Sequence, residues 1–74
     1  MDELKIGHRY KHFKGTEYRV LMVTKDSETT EERVVYQDVG HPEKVWDRPK
    51  AMFMDEVDRP ELNYKGPRFT YLGE

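Results

Sequence analysis

The sequence predicts a small, mostly β domain. Short segments rich in β-branched and aromatic residues alternate with turn signals, which is typical of small sandwiches and barrels. The chain has 74 residues, enough for one domain with a small core. One proline followed by helix formers interrupts the strand pattern before its last segment. We therefore expect residues 1–74 to form a single domain, with residues 1–5 flexible.

The first two segments predict a hairpin. His8 to Lys14 alternates as a strand, Lys14-Gly15-Thr16 supplies a turn in which glycine can adopt a positive φ, and Glu17 to Lys25 follows as the second strand. The second strand is apolar on both faces at Val20-Leu21-Met22-Val23. Such a run favours a central position in the sheet.

Two further strands follow the polar loop 26–32. The Asp, Ser and Thr side chains of that loop can bond their own backbone and hold a turn. The third strand, Arg33 to Val39, has Val34-Val35-Tyr36 at its centre. A second turn at residues 40–43 then leads into the fourth strand, Lys44 to Arg48.

A helical turn and a closing strand complete the pattern. Pro49 suits the first position of a helix, where its missing N–H is not needed, and residues 50–57 contain good helix formers. After the loop 58–66, Pro67 opens a last strand, Arg68 to Leu72, and a proline at a strand start indicates an edge strand. Five strands and one helical turn predict a small SH3-like β-barrel. The alternative is an OB-like barrel, which normally requires a longer chain.

The composition excludes several classes of protein. Aromatic residues make up 12% of the chain, which argues against disorder although 38% of the residues are charged. The chain contains no cysteine, so it has no disulfide and no thiolate metal ligand. No apolar stretch approaches the roughly 18 residues of a membrane span, and the acidic N-terminus does not resemble a signal peptide. We expect a cytoplasmic protein with no membrane partner.

The sequence offers no strong candidate for a metal or catalytic site. His8 and His12 have the H-x-x-x-H spacing of a helical zinc site. In a strand their Cα atoms would lie roughly 13 Å apart, too far for two ligands of one metal ion. Ser27 and Glu28 are adjacent, but the glycine-rich nucleophile elbow of a hydrolase does not accompany them. We therefore expect no enzymatic activity, no metal and no cofactor.

A recognition surface is predicted around the only tryptophan. Trp46 and Arg48 are two residues apart in a strand, so an indole and a guanidinium share one face beside Pro49. We expect Tyr36 and Trp46 to be partly exposed there, with His12 nearby. The alternative is that these aromatic rings fill the core. The interior should be formed mainly by Tyr18, Val20, Val35, Phe53 and Phe69.

These features favour a noncatalytic binding module for a peptide or protein partner. The aromatic side chains would supply a flat surface, and the basic ones would capture polar or anionic groups. The sequence does not indicate whether the domain is a monomer or an oligomer. The candidate ligand-binding residues are Trp46, Arg48, Tyr36, His12, Lys14, Ser27 and Glu28.

Two other functions are compatible with the sequence. Residues 1–25 carry six basic and three acidic side chains, so the domain could bind single-stranded nucleic acid with Tyr10, Tyr18 and Trp46 as stacking platforms. The net charge of −2 disfavours that alternative. An edge strand at 67–72 would also suit a structural part of a larger assembly.

Several short segments occur together in an order that resembles a known family. They are Tyr10-Lys11-His12-Phe13-Lys14-Gly15, Ser27-Glu28-Thr29, Val34-Val35-Tyr36, Trp46-Asp47-Arg48-Pro49 with Met52-Phe53, and Pro67-Arg68-Phe69. This set resembles the small bacterial family called domain of unknown function 1653, over about residues 6–72. The resemblance implies a compact SH3-like domain and supplies no catalytic residues. It draws attention to Lys14, Gly15, Ser27, Glu28, Thr29, Arg48, Pro49, Arg68 and Phe69.

Overall fold

Seven strands in two antiparallel sheets form the fold in the computed structural model, which describes residues 4–74. One turn of helix, α1 (Lys50–Phe53), follows the fourth strand, and a 3₁₀ turn at Pro60–Leu62 follows the fifth. The strands are β1 (Arg9–His12), β2 (Glu17–Lys25), β3 (Glu32–Asp38), β4 (Val45–Pro49), β5 (Glu56–Arg59), β6 (Tyr64–Pro67) and β7 (Phe69–Gly73).

The larger sheet has the strand order β4-β3-β2-β1-β7, and β5 pairs with β6 in the second sheet. β2 therefore lies at the centre and β7 at an edge, which confirms both predictions. The mostly β class is also confirmed. The predicted closed barrel of about five strands is wrong for residues 4–74, because β4 and β7 are two separate edges of an open sheet.

The segment 58–66, predicted to be a loop, contains a hairpin instead. β5 and β6 pair with Val57 opposite Gly66, and Asn63 ends the 3₁₀ turn in the left-handed conformation, with φ of 53°. The helix accordingly ends at Phe53 rather than near Val57. These strands have four residues each and few apolar side chains, so their pattern is dominated by turn-forming residues.

The start of the chain is tied to the core from Leu4 onward. Residues 1–3 of the predicted flexible segment lie outside the described residues. Leu4 packs against the buried cluster, and the backbone N–H of Lys5 donates a hydrogen bond to the hydroxyl of Tyr10 at 3.0 Å.

The core is an aromatic cluster between the larger sheet and α1. Phe53 of α1 stacks on Phe69 of β7, with ring centroids 4.0 Å apart and planes 9° from parallel. Burial of Val20, Phe53 and Phe69 is confirmed. The expected exposure of Tyr36 is wrong, because only 4% of this residue is accessible. The buried cluster consists of Tyr10, Val20, Val34, Tyr36, Phe53 and Phe69.

The pairing of β2 with β3 explains why Val34 is buried and Val35 is not. The pairing of β2 with β3 shifts between Val20 and Met22, which moves the following side chains to the other face. Val20 is opposite Tyr36 before the shift and Val23 is opposite Val34 after it. Val34 is two residues from Tyr36 and shares its face, so it is buried where Val35 was expected. Tyr18 and Val35 are half-buried.

Candidate functional site

One face of the larger sheet carries a group of basic and aromatic side chains at the border of the core. We call this group the basic–aromatic site. Its members come from four strands and from the turns that flank them, so residues distant in sequence meet there. They are His12, Lys14, Tyr36, Trp46, Arg48, Arg68 and Phe69.

Arg48 is held in place by two aromatic side chains. Its Nε donates a hydrogen bond to the hydroxyl of buried Tyr36 at 3.2 Å, and its Cζ lies 5.6 Å from the ring centroid of Phe69. Among residues 4–74, no carboxylate lies within 4.0 Å of the Arg48 guanidinium. A half-buried positive charge with only neutral partners leaves its remaining N–H donors available for an anion.

Trp46 extends the site toward solvent. β4 pairs with β3 so that Trp46 is opposite Tyr36 and Arg48 is opposite Val34. Directly opposed residues of an antiparallel pair share a face, so the indole and the guanidinium emerge on the side of the core. Trp46 is 50% exposed because β4 is an edge strand, which confirms that it is partly exposed.

His12 supplies a neutral donor next to the arginine. Its Nδ1 accepts the backbone N–H of Lys14 at 3.1 Å, which assigns the ring proton to Nε2. Burial, together with the positive charges of Arg48, Arg68 and Lys14, lowers the pKa of His12 below 6.5. The imidazole is therefore neutral at pH 7, and it stands edge-on to Phe69 with centroids 5.0 Å apart.

Arg68 differs from Arg48 because its charge is already paired. Its Nε donates to Oδ1 of Asp55 at 2.8 Å and its Nη2 donates to Oδ2 of the same carboxylate at 3.3 Å. This two-point contact fixes Arg68 near His12 and neutralises much of its charge. The arginine of the site that remains for a ligand is thus Arg48.

Tyr18 lies beside the basic–aromatic site and contacts one of its members, Tyr36. Its ring stands nearly perpendicular to that of Tyr36, with centroids 5.0 Å apart. Burial raises the pKa of the Tyr18 hydroxyl, which therefore stays protonated at neutral pH. The side chain was expected in the core, and its half-buried position makes its hydroxyl an additional polar group beside the rings.

Ser27 and Glu28 are separated from His12 and Lys14. Both lie in the turn after β2, where Oδ1 of Asp26 accepts the backbone N–H of Glu28 at 2.8 Å. This bond and one from the next N–H lower the pKa of the exposed Asp26 carboxyl. His12 and Lys14 precede β2, whose nine residues span roughly 26 Å. The loop is held by its own backbone bonds and lies outside the basic–aromatic site.

The place of Arg68 and Phe69 in the site was not deduced from the strand pattern. β7 pairs with β1 so that Phe69 is opposite His12. These residues are far apart in sequence, and only the strand order brings them together. The family resemblance was the signal that singled them out.

The arrangement of residues 4–74 also bears on metal ions and membranes as partners. Within residues 4–74, no group of three or more His, Asp and Glu side chains is arranged to hold a metal ion. None of the helices formed by these residues has the length and apolar character needed to cross a membrane.

Comparisons with known proteins agree on one family. The profile of the family described as "Protein of unknown function (DUF1653)" matches residues 8–71. A crystal structure of a DUF1653 protein from Bordetella bronchiseptica superposes with a TM-score of 0.78 at 31% identity, covering 96% of this chain and 90% of that one. No curated protein matches the chain significantly. The profile and the crystal structure each cover most of the sequence, and the chain therefore belongs to the DUF1653 family.

Proposed function

We propose that this domain is a noncatalytic binding module that recognises an extended segment of a protein partner through a carboxylate. The observation that carries the proposal is the state of Arg48. Its guanidinium is positioned by Tyr36 and Phe69, and it has no carboxylate partner among residues 4–74. A part-buried, preorganised arginine binds a carboxylate with little loss of side-chain entropy.

The neighbours of Arg48 fit this chemistry. Because Nε of Arg48 is used by Tyr36, the two terminal nitrogens remain to contact the carboxylate oxygens. The Nε2–H of neutral His12 adds a donor that requires no second charge. Lys14 contributes positive potential, because its Nζ lies 6.0 Å from the ring centroid of Phe13 and has no carboxylate within 4.0 Å among residues 4–74.

Trp46 supports recognition of a macromolecular segment rather than of a small free anion. Half of this large apolar residue is exposed on the same face as Arg48. Exposed tryptophan and arginine together are the residue types that contribute most to protein–protein binding energy. An apolar side chain next to the carboxylate in the partner would cover the indole.

The test is titration of the domain with the peptide Thr-Glu-Thr-Leu-Thr-Glu-Thr, whose two termini are chemically blocked. Calorimetry and the fluorescence of Trp46 measure its binding. Arg48→Gln should weaken binding at least tenfold. Arg9→Gln is the matched control, because it removes the same charge from the opposite face, where Arg9 contacts Glu17 at 3.3 Å. Equal affinities of the two variants would overturn the proposal. So would loss of folding in Trp46→Ala, since the indole would then be part of the core.

Single-stranded nucleic acid is the competing outcome of the same test. One of its expected stacking platforms, Tyr10, is buried, and its hydroxyl is occupied by the N–H of Lys5. An oligothymidylate should therefore bind no more tightly to the wild type than to Arg48→Gln. Tight binding of the oligonucleotide with a steep salt dependence, and none of the peptide, would replace the proposed function.

A further inference from the structure

We infer that an acidic peptide binds by adding to β4 as a further antiparallel strand of the larger sheet. The inference rests on the proposed function and deepens it by naming the backbone geometry and the side-chain pattern of the partner. β4 is one edge of the sheet, so one side of its backbone faces no neighbouring strand in residues 4–74. An edge of this kind is a template for a peptide in extended conformation.

The alternation of hydrogen-bonded residue pairs between β3 and β4 identifies which backbone groups of β4 are free. The N–H of Asp38 donates to the carbonyl of Lys44 at 3.0 Å, which makes these two residues a hydrogen-bonded pair. Such pairs alternate along an antiparallel ladder, so Trp46 and Arg48 also direct their backbone groups toward β3. The N–H and C=O groups of Val45 and Asp47 therefore point away from the sheet. No hydrogen bond from a turn or side chain of residues 4–74 reaches them.

Three side chains on the site face of this edge define the partner. Trp46 and Arg48 lie in β4, and their Cα atoms are roughly 6.6 Å apart. Lys44 directly precedes β4 and continues its pairing with β3 through the bond from Asp38. Neither Lys44 nor Arg48 has a carboxylate within 4.0 Å among the described residues. Asp38 lies opposite Lys44, but its carboxylate is engaged in the following turn, where Oδ1 accepts the backbone N–H of Gly40 at 2.9 Å.

The complementary peptide has an acidic, an apolar and an acidic residue at alternate positions. The acidic side chains would meet Lys44 and Arg48, and the apolar side chain would cover Trp46. On the opposite face of β4, the carboxylate of Asp47 already has a partner, because it accepts a hydrogen bond from Nε of Arg33 at 2.7 Å. Specificity should therefore come from one face of the bound strand.

The other edge of the sheet does not offer the same recognition. β7 contains neither lysine nor arginine, and Gly73 at its end has a φ of 113°. Charge complementarity to an acidic strand thus favours β4. Pro49 sets the limit of the docking edge, because it has no N–H and leads directly into α1. The bound strand should pair with Val45 and Asp47 and extend little further.

Two N-methylated forms of the peptide Thr-Glu-Thr-Leu-Thr-Glu-Thr test the geometry. With leucine opposite Trp46, the flanking threonines are opposite Val45 and Asp47 and direct their N–H groups at the sheet. Methylation of those two threonine amides should weaken binding at least tenfold. Methylation of the leucine amide, which points away, is the matched control and should change affinity less than threefold. In hydrogen exchange, the amides of Val45 and Asp47 should become protected when the unmodified peptide binds.

The outcomes separate this inference from the proposed function. Binding of the unmodified peptide that depends on Arg48, with equal affinity for both methylated forms, would leave the proposed function standing and overturn strand addition. Unchanged exchange of Val45 and Asp47 in the saturated complex would also overturn it. If the unmodified peptide does not bind at all, the proposed function fails and strand addition fails with it.

Discussion

Arg68 and Asp55 are joined by three hydrogen bonds. The two side-chain bonds measure 2.8 and 3.3 Å, and the backbone N–H of Arg68 also donates to the carbonyl of Asp55 at 3.0 Å. This contact connects the segment after α1 to the start of β7. Phe53 is the last residue of α1 and Phe69 is the first of β7, so the ion pair holds together the two halves of the aromatic stack.

The geometry of this pair predicts that lysine cannot replace arginine at position 68. Arg68→Lys keeps the charge but loses the fork that contacts both carboxylate oxygens, and it should lower the free energy of unfolding by about 1–3 kcal/mol. Urea denaturation followed by circular dichroism would measure it. Arg59→Lys is the control, because its pair with Glu61 is longer, at 3.7 Å, and more exposed. Equal effects of the two substitutions would contradict the special role of Arg68.

The aromatic stack itself predicts a strong difference between neighbouring residues of α1. Phe53→Ala should lower the free energy of unfolding by about 3–5 kcal/mol, because it leaves a cavity beside Phe69. That loss is a large part of the total stability of a domain this small. Met52→Ala changes an exposed residue and should shift stability by less than about 0.5 kcal/mol. Thermal melts of both variants provide the measurement, and comparable melting temperatures would contradict the stack's importance.

The sequence predicted individual strands better than it predicted which face of each strand is buried. β2 was placed with its observed bounds, since a long apolar run between a glycine turn and a polar loop is unambiguous. The prediction of which face is buried fails where apolar residues are consecutive, as in Val34-Val35-Tyr36. Both alternations are then apolar, and the pairing of Tyr36 with buried Val20 decides between them. Such a pairing between strands leaves no signal in composition.

The candidate site was predicted in part for a related reason. The pairing of Trp46 with Arg48 follows from strand periodicity alone, because both residues lie in one short segment. The contribution of Phe69 and Arg68 depends on β7 lying beside β1. Long-range strand order cannot be derived from local pattern. Ser27 and Glu28 lie at the other end of β2 from His12 and Lys14, and their polar residue types alone do not reveal that separation.

His12 predicts a pH dependence of stability that one substitution should remove. Because the pKa of His12 is lowered in the folded state, the unfolded chain takes up the proton first as pH falls below 6.5. The contribution of this group is therefore constant above that pH. It becomes destabilising as pH falls toward the folded-state pKa and levels off below it.

His12→Asn isolates this effect, since an asparagine Oδ1 can accept the N–H of Lys14 without titrating. Urea denaturation of both proteins between about pH 8 and pH 5 would show the wild type losing stability relative to the variant. Carboxylates contribute equally to both curves and cancel in the difference. A difference that stays constant with pH would show that His12 titrates alike in both states.

Tyr36 predicts that a buried residue influences binding without contacting the ligand. Its hydroxyl accepts the Nε–H of Arg48, so Tyr36→Phe removes the acceptor that orients the guanidinium while keeping the ring in the core. The affinity for the peptide Thr-Glu-Thr-Leu-Thr-Glu-Thr should fall about five- to tenfold, and the effect should vanish when Arg48 is already Gln. Calorimetry on the wild type, both single variants and the double variant completes the cycle. Additive losses in the double variant would mean that Tyr36 acts through general stability and does not position Arg48.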